Sequence, residues 1–201
     1  MANSGPPVYF VRHGETQWNK LGLIQGWTDV PLNDMGHAQA KAMGKALVSV
    51  DELKGGFQHF VSPMLRARQT MGHIAEALDI DLDTFAIEPA VKELGFGVWE
   101  GKTVWELKAS PIYPADPETR FDWQPRGGES YAEGFSRMKA WYDTLTTPAF
   151  VVAHGAIGRC LIGMLTGLGP AEIVGLPMIQ GRYCRIESGK AQWFDAMAAA
   201  A

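Results

Sequence analysis

The chain has 201 residues, 46% of them hydrophobic and 20% charged, with 18 Lys+Arg against 22 Asp+Glu. That composition excludes a disordered chain, and the formal net charge of −4 argues against a nucleic-acid or anionic-membrane binder, which needs a broad basic face. The length fits one compact domain over residues 1–201, able to bury roughly 70% of its unfolded surface. No apolar run approaches the ~18 residues of a membrane span. The N-terminal MANSGPPVYF has neither the basic nor the apolar region of a secretory signal, and the C-terminal AMAAAA carries no pattern. Cys160 and Cys184 form neither a CxxC motif nor a disulfide framework, so each is expected to be a small buried residue in a reducing, cytoplasmic setting.

In chain order, PVYFV (7–11) predicts a short buried strand, and GHAQAKAMGKALVSV (36–50) a helix with Met43, Leu47 and Val50 on one face. GFQHFV (56–61) predicts a second strand. Ser62 is then expected as the N-cap, and Pro63 as the first residue, of a helix running through MLRARQTMGHIAEAL. TFAIEP (84–89) is a weaker third strand. The proline-rich, aperiodic stretch 109–128 reads as a long loop or lid over a site. ESYAEGFSRMKAWYDTL (129–145) places Tyr131, Phe135, Met138, Tyr142 and Leu145 at helical spacing. AFVVA (149–153) is a strand, followed by a helix from about Ala156 to Leu165. RYCRIES and AQWFD, joined at Gly189-Lys190, predict a closing hairpin. The alternation predicts an α/β fold: a three-layer α/β/α sandwich on a mostly parallel sheet, with the hairpin adding an antiparallel strand.

Ligands of such sheets bind at the carboxyl ends of strands. There the sequence places Arg12-His13-Gly14, Ser62-Pro63 with Arg66 one helical turn on, and His154-Gly155. Each strand end delivers a cationic or potentially cationic side chain. Glycines allow close approach of a ligand, and helix N-termini add free N–H donors. The expected result is a phosphate pocket with Arg12 and Arg66 as bidentate clamps and two imidazoles beside them.

The same residues carry a family likeness. VRHGETQWN (11–19), QGWTDVPLNDMGHAQA (25–40), VSPMLRARQT (61–70), KELGFGVWEG (92–101), GGES (127–130) and VVAHG (151–155) resemble, in order and spacing, the histidine phosphatase superfamily, which includes cofactor-dependent phosphoglycerate mutase. The resemblance implies the phosphoglycerate mutase-like fold, His13 as the nucleophile that becomes phosphohistidine, Arg12 and Arg66 on the phosphate oxygens, His154 hydrogen-bonding the transferring group, and Glu93 as proton donor. It also implies that Asn19 and Gln25 line the phosphate or substrate; Gly155, like Gly14, is expected on its own chemistry to let the ligand approach the backbone.

Chemistry asks for the same parts. An attacking imidazole must be neutral, and two guanidinium charges push its pKa down. Fixed Arg and His donors stabilise charge on the equatorial oxygens, so no metal and no cofactor is expected. The leaving oxygen needs an acid that burial or the arriving dianion keeps protonated near neutrality. Gly155 stands where acid-phosphatase relatives carry an aspartate, which points to Glu93. Ala156 stands where mutases commonly carry asparagine, and their long insertion is missing, which favours hydrolysis.

The expected activity is a metal-independent phosphomonoesterase acting on a small phosphorylated metabolite. The alternatives are a phosphoglycerate mutase and a silent phosphate- or phosphoprotein-binding pseudophosphatase. His37, His59 and His73 are expected to be structural, and Arg68 to make a surface or interhelical contact. Glu15 and Glu100 compete with Glu93 for the acid role, the alternative for each being local structural hydrogen bonding. Arg120 and Arg126 are candidates for a second anionic group of the substrate, and Trp27, Phe96 and Trp123 for the cleft wall. GFGVWEGKT (95–103) is not a nucleotide-binding P-loop, because the first glycine is one place off and no strand precedes it.

Overall fold

The computed structural model describes residues 5–198. The readings that fall on residues 1–4 and 199–201, at the N-terminus and in the alanine tail, lie outside the described residues. The chain forms β1 (Val8–Arg12), α1 (Gln17–Lys20), α2 (Asp34–Val48), β2 (Gln58–Val61), α3 (Leu65–Leu78) and β3 (Ala86–Ile87). There follow α4 (Val104–Lys108), α5 (Pro117–Asp122), α6 (Tyr131–Tyr142), β4 (Ala149–Ala153), α7 (Gly155–Thr166), α8 (Pro170–Gly175), β5 (Arg182–Glu187) and β6 (Lys190–Asp195).

The strands make a six-stranded sheet in the order β3-β2-β4-β1-β5-β6. The first four run parallel, while β5 is antiparallel to β1 and β6 to β5. β4 and, up to Val11, β1 are apolar and buried on both faces, as central strands require. Val8, Phe10, Val151 and Ala153 meet α6 and α7 on one side. Tyr9, Val11, Phe150 and Val152 meet α2 and α3 on the other, completing the expected three layers.

Several boundaries differ from expectation for local reasons. The Asn33 side chain caps Gly36 N at 2.9 Å, so α2 starts two residues early and ends before Val50. Met64, not Ser62, occupies the N-cap position of α3, and the Ser62 hydroxyl is instead 2.6 Å from a ring nitrogen of His154. β2 begins at Gln58, and a 3-10 turn over Leu82–Thr84 shortens β3 to two residues. The 109–128 segment is not irregular throughout: Asp116 caps Thr119 N at 2.9 Å and starts α5, with Pro117 in its first turn. The hairpin turns at Ser188-Gly189, whose φ values of 50° and 75° suit a two-residue turn of left-handed residues, so Lys190 already belongs to β6. No helix among the described residues is long and apolar enough to cross a membrane.

This topology positions the site. Because β4 lies between β1 and β2, the residues just past all three strands stand side by side. His13 N extends the ladder to Ala153 O at 2.9 Å and Ser62 N to Val152 O at 3.1 Å, with His154 next in line.

Gly14 was expected to open the backbone to a ligand, but the structure uses it for packing. A Cβ there would collide with the Gly36 carbonyl of α2, and one on Gly36 would collide with the Glu15 carbonyl. Gly72, inside α3, faces open space. Alanine substitutions should therefore act in opposite directions in urea unfolding. Gly36→Ala should lower stability by about 1–3 kcal/mol through overpacking, and Gly72→Ala should raise it by about 0.4–1 kcal/mol.

Candidate active site

His13 is buried, and its Nδ1 lies 2.7 Å from the Gly14 carbonyl oxygen. A carbonyl oxygen only accepts, so Nδ1 carries the proton and Nε2 the lone pair. Burial holds the imidazole well below its usual pKa, with the Arg66 and Arg12 charges adding to it. Burial is thus the larger cause, where the sequence pointed to the guanidiniums. The loop carrying His13 is held on both sides. Thr70 Oγ1 accepts from Gly14 N at 3.0 Å, and Gln180 Nε2 donates to His13 O at 3.1 Å.

Arg66 is almost fully buried, and its fork is held at three points. Nη2 donates to Gly26 O at 2.8 Å, Nη1 to Thr28 O at 3.0 Å and Nε to His154 Nδ1 at 3.2 Å. A guanidinium has five N–H groups, so two remain for a ligand. Glu100 keeps the two carbonyls in place. Its Oε1 accepts from Trp27 N at 2.9 Å and Phe96 N at 3.1 Å, and its Oε2 from Thr28 N at 3.0 Å and Thr28 Oγ1 at 2.6 Å. The structural reading of Glu100 is therefore the right one.

Arg12 donates from Nη1 to Met178 O. Its buried Nε has no hydrogen-bond partner among the described residues. Burial pushes the guanidinium down to about 10, which leaves it charged at neutral pH. An unpaired buried charged donor is costly unless a ligand satisfies it.

His154 is fully buried and does not line the cavity. Its Nδ1 accepts from Arg66, so Nε2 carries the proton and donates to Ser62 Oγ. Burial, then the Arg66 charge, holds it well below its usual pKa. Both ring nitrogens are engaged by the protein, so the arrangement differs from the expected bond to a transferring group. What reaches the cavity here is Arg66, with His154 behind it.

Glu93 is buried at the start of α7, where its carboxyl accepts from Ile157 N at 2.9 Å and Leu94 N at 3.0 Å on Oε1, and from Ala156 N at 3.1 Å on Oε2. The helix N–H groups expected to be free for phosphate thus hold Glu93 instead. Gly155 lies between cation and carboxyl: a methyl there would sit 3.6 Å from Arg12 Nε and 3.8 Å from Glu93 Oε2. These are ordinary contacts, so the space it would take is open to a ligand. Asn19 Oδ1 is held by Thr16 N at 3.1 Å and Gln180 Nε2 at 3.0 Å, leaving its NH2 group for the cavity. Gln25 also lines the cavity, and its buried Oε1 has no partner among the described residues. All of these except His154 border one cavity of about 400 Å³.

Other candidates fall elsewhere. Trp27 donates from Nε1 to Glu93 O at 2.9 Å and carries Lys92 4.0 Å over its ring, so it buttresses the Glu93 segment and does not wall the cleft. Phe96 and Trp123 do line the cavity, as does Arg120, while Arg126 does not. Arg68 is exposed, His37 and His73 bond each other at 2.9 Å, and His59 packs against Phe85 and Phe150. Glu15 Oε1 accepts from Asn33 Nδ2 at 2.8 Å. Sequence reasoning missed Ser62 as the partner of His154, along with Thr70, Gln180, Tyr131 and Arg159. Arg159 was discoverable, because it lies four residues after Gly155 and hence on the same face of α7.

The family profile described as "Histidine phosphatase superfamily (branch 1)" matches residues 8–197. The chain is 33% identical over 188 residues to a 2,3-bisphosphoglycerate-dependent phosphoglycerate mutase of Mesorhizobium japonicum, covering 87% of this chain and 88% of the relative. Among solved structures, a mycobacterial glucosyl-3-phosphoglycerate phosphatase superposes with TM-score 0.76 at 22% identity, covering 94% of this chain and 96% of the other. The alpha-ribazole phosphatase of Shigella flexneri superposes with TM-score 0.73 at 23% identity, covering 94% and 95%. At those identities the structural likeness speaks to the fold.

The buried neutral histidines set a pH dependence. Unfolded, each titrates near 6.5; folded, both stay neutral to lower pH. Below about pH 6.5 the unfolded state binds more protons, so stability is full above that value and is lost as pH falls toward the folded pKa values. Urea unfolding from about pH 7.5 down to 5.5 should show this fall, and His13→Asn should make it shallower. A slope unchanged by that substitution would contradict the buried neutral state.

Proposed function

The chain belongs to the histidine phosphatase superfamily (branch 1), and from that membership we propose that it is a metal-independent phosphomonoesterase working through phosphohistidine on His13. The observation that carries the reading is a neutral imidazole with its Nε2 lone pair free, bordering the same cavity as a buried guanidinium with an unpaired donor.

The phosphoryl group of a small phosphorylated metabolite binds between Arg12 Nε and the two remaining N–H groups of Arg66, with the Asn19 amide beside them. His13 Nε2 attacks phosphorus, the P–O bond to the leaving group breaks, and Glu93 gives its proton to the departing oxygen. The positive charge gained by the imidazole is shared through Nδ1–H with the Gly14 carbonyl. In the second half, Glu93 takes a proton from water as it attacks phosphorus, the P–N bond breaks, and inorganic phosphate leaves. The guanidiniums stabilise the equatorial oxygens in both steps.

Hydrolysis is favoured over mutase chemistry by Ala156, while the missing insertion does not separate the two, since the mutase-named relative is matched over 88% of its own length. The mutase reading keeps weight because a relative of that name is 33% identical over most of both chains. A binding protein without turnover fits less well, since nucleophile, clamps and candidate acid border one cavity. The free, buried Cys160 and Cys184, each pushed up to about 12 by burial, suit a reducing cytoplasmic setting.

Single-turnover labelling with a 32P-phosphomonoester should give acid-labile, base-stable protein phosphate in the wild type and none in His13→Ala, with inorganic phosphate as product. Glu93→Gln should lower kcat by about 10²–10⁴. Full activity in His13→Ala would overturn the assignment. Dependence of the net reaction on a bisphosphate primer, with positional transfer in place of phosphate release, would favour the mutase.

A further inference from the structure

The phosphate-facing floor accounts for only part of the 400 Å³ cavity. Beyond Arg12, His13, Arg66 and Glu93, the lining is dominated by apolar and aromatic side chains. Trp99, Tyr113 and Trp123 make one wall, and Phe96, Val174 and Met178 belong to the lining as well. The aromatic wall is rigid. Trp99 and Trp123 stack at 4.3 Å with planes 19° apart, Tyr113 lies 5.6 Å from Trp99, and the Arg120 guanidinium covers Tyr113 at 4.9 Å. Arg120 is itself fixed by Pro114 O at 3.0 Å and Ala115 O at 2.8 Å, so it serves as a clamp on the wall.

The proline-rich segment therefore presents rings to the cavity. A cavity of about 400 Å³ with an aromatic wall beside its charged floor suits a ligand much larger than a three-carbon acid. Such an acid would leave this wall against water. Arg159 adds a cation to the lining: its Nε donates to Leu176 O at 2.7 Å and its Nη1 to Tyr131 Oη at 2.8 Å, and Arg159 and Tyr131 both border the cavity.

Resting on the phosphomonoesterase reading above, we infer that the preferred substrates are phosphomonoesters whose alcohol carries a flat ring, held against the Trp99–Trp123 stack and Phe96. The chemistry is unchanged: the ester P–O bond breaks, phosphorus passes to His13 Nε2, and the ring-bearing alcohol leaves with the proton from Glu93. Trp123 is the specificity-determining residue, because its ring joins the lid segment to the wall.

The test compares kcat/KM for benzyl phosphate and ethyl phosphate, both esters of primary alcohols, so that their ratio reads the cavity and not aryl leaving-group reactivity. The wild type should favour benzyl phosphate at least about tenfold, as expected for a desolvated ring contact, and should favour it over 3-phosphoglycerate as well. Trp123→Ala should bring the ratio several-fold toward one, and Trp123→Phe should keep most of it. Because the ratio is taken within each variant, partial misfolding cancels. A wild-type ratio near one, or a ratio untouched by Trp123→Ala, would overturn the inference while leaving the phosphatase reading intact. Hydrolysis of none of the three esters, with no phosphate on His13, would overturn that reading and the inference with it.

Discussion

A buried positive charge must be held by acceptors, and much of the site follows from how this chain holds Arg66. Two backbone carbonyls, Gly26 and Thr28, take its terminal nitrogens, and one imidazole takes Nε. Loop carbonyls are sound acceptors only if the loop is immobile, and Glu100 provides that with four hydrogen bonds from the 27–28 and 96 segments. His154 can accept only as the Nε2–H tautomer, and Ser62 stabilises that form. The guanidinium thus accounts for a glutamate, a serine, a histidine tautomer and a loop. Its remaining donors can act on a ligand with little reorganisation, which is how electrostatic stabilisation becomes effective in a dry site.

The second constraint is the N-terminus of α7. Phosphate sites often use free helix N–H groups, but here those groups bind Glu93. This places a carboxyl next to Arg12 and Gly155 and makes the helix a holder of the acid. On the proposed reading, phosphate recognition then falls to guanidinium and amide donors. An acidic chain can bind an anion there because its cavity gathers Arg12 and Arg66, whatever the net charge.

The sequence was legible where burial is uniform or chemistry is local. β1 up to Val11 and the whole of β4 are continuous apolar runs, Arg12 closes β1, and His13 and His154 directly follow the two strands. It was less legible where a side chain has two competing partners. Ser62 looks like an N-cap because nothing local announces His154, which lies 92 residues away. Gly14 reads as a ligand glycine because the approach of Gly36 is a tertiary fact. Glu93 follows no strand, so only the family likeness pointed to it. Gln180 and Met178 reach the site from the chain between α8 and β5, with no motif of their own. The capped helix α5 was hidden by prolines that suggested irregularity, although Pro117 is well placed to begin it.

One tautomer carries the proposed chemistry: Nδ1–H of His13 donates to Gly14 O, which leaves Nε2 for the phosphoryl group. The most direct measurement is an NMR correlation between 31P and histidine 15N in the trapped phosphoenzyme, with the spin systems assigned by His13 substitution. The account predicts phosphate on Nε2 of His13, with Nδ1 still protonated. Phosphate on Nδ1, or turnover with the His13 ring never phosphorylated, would contradict it.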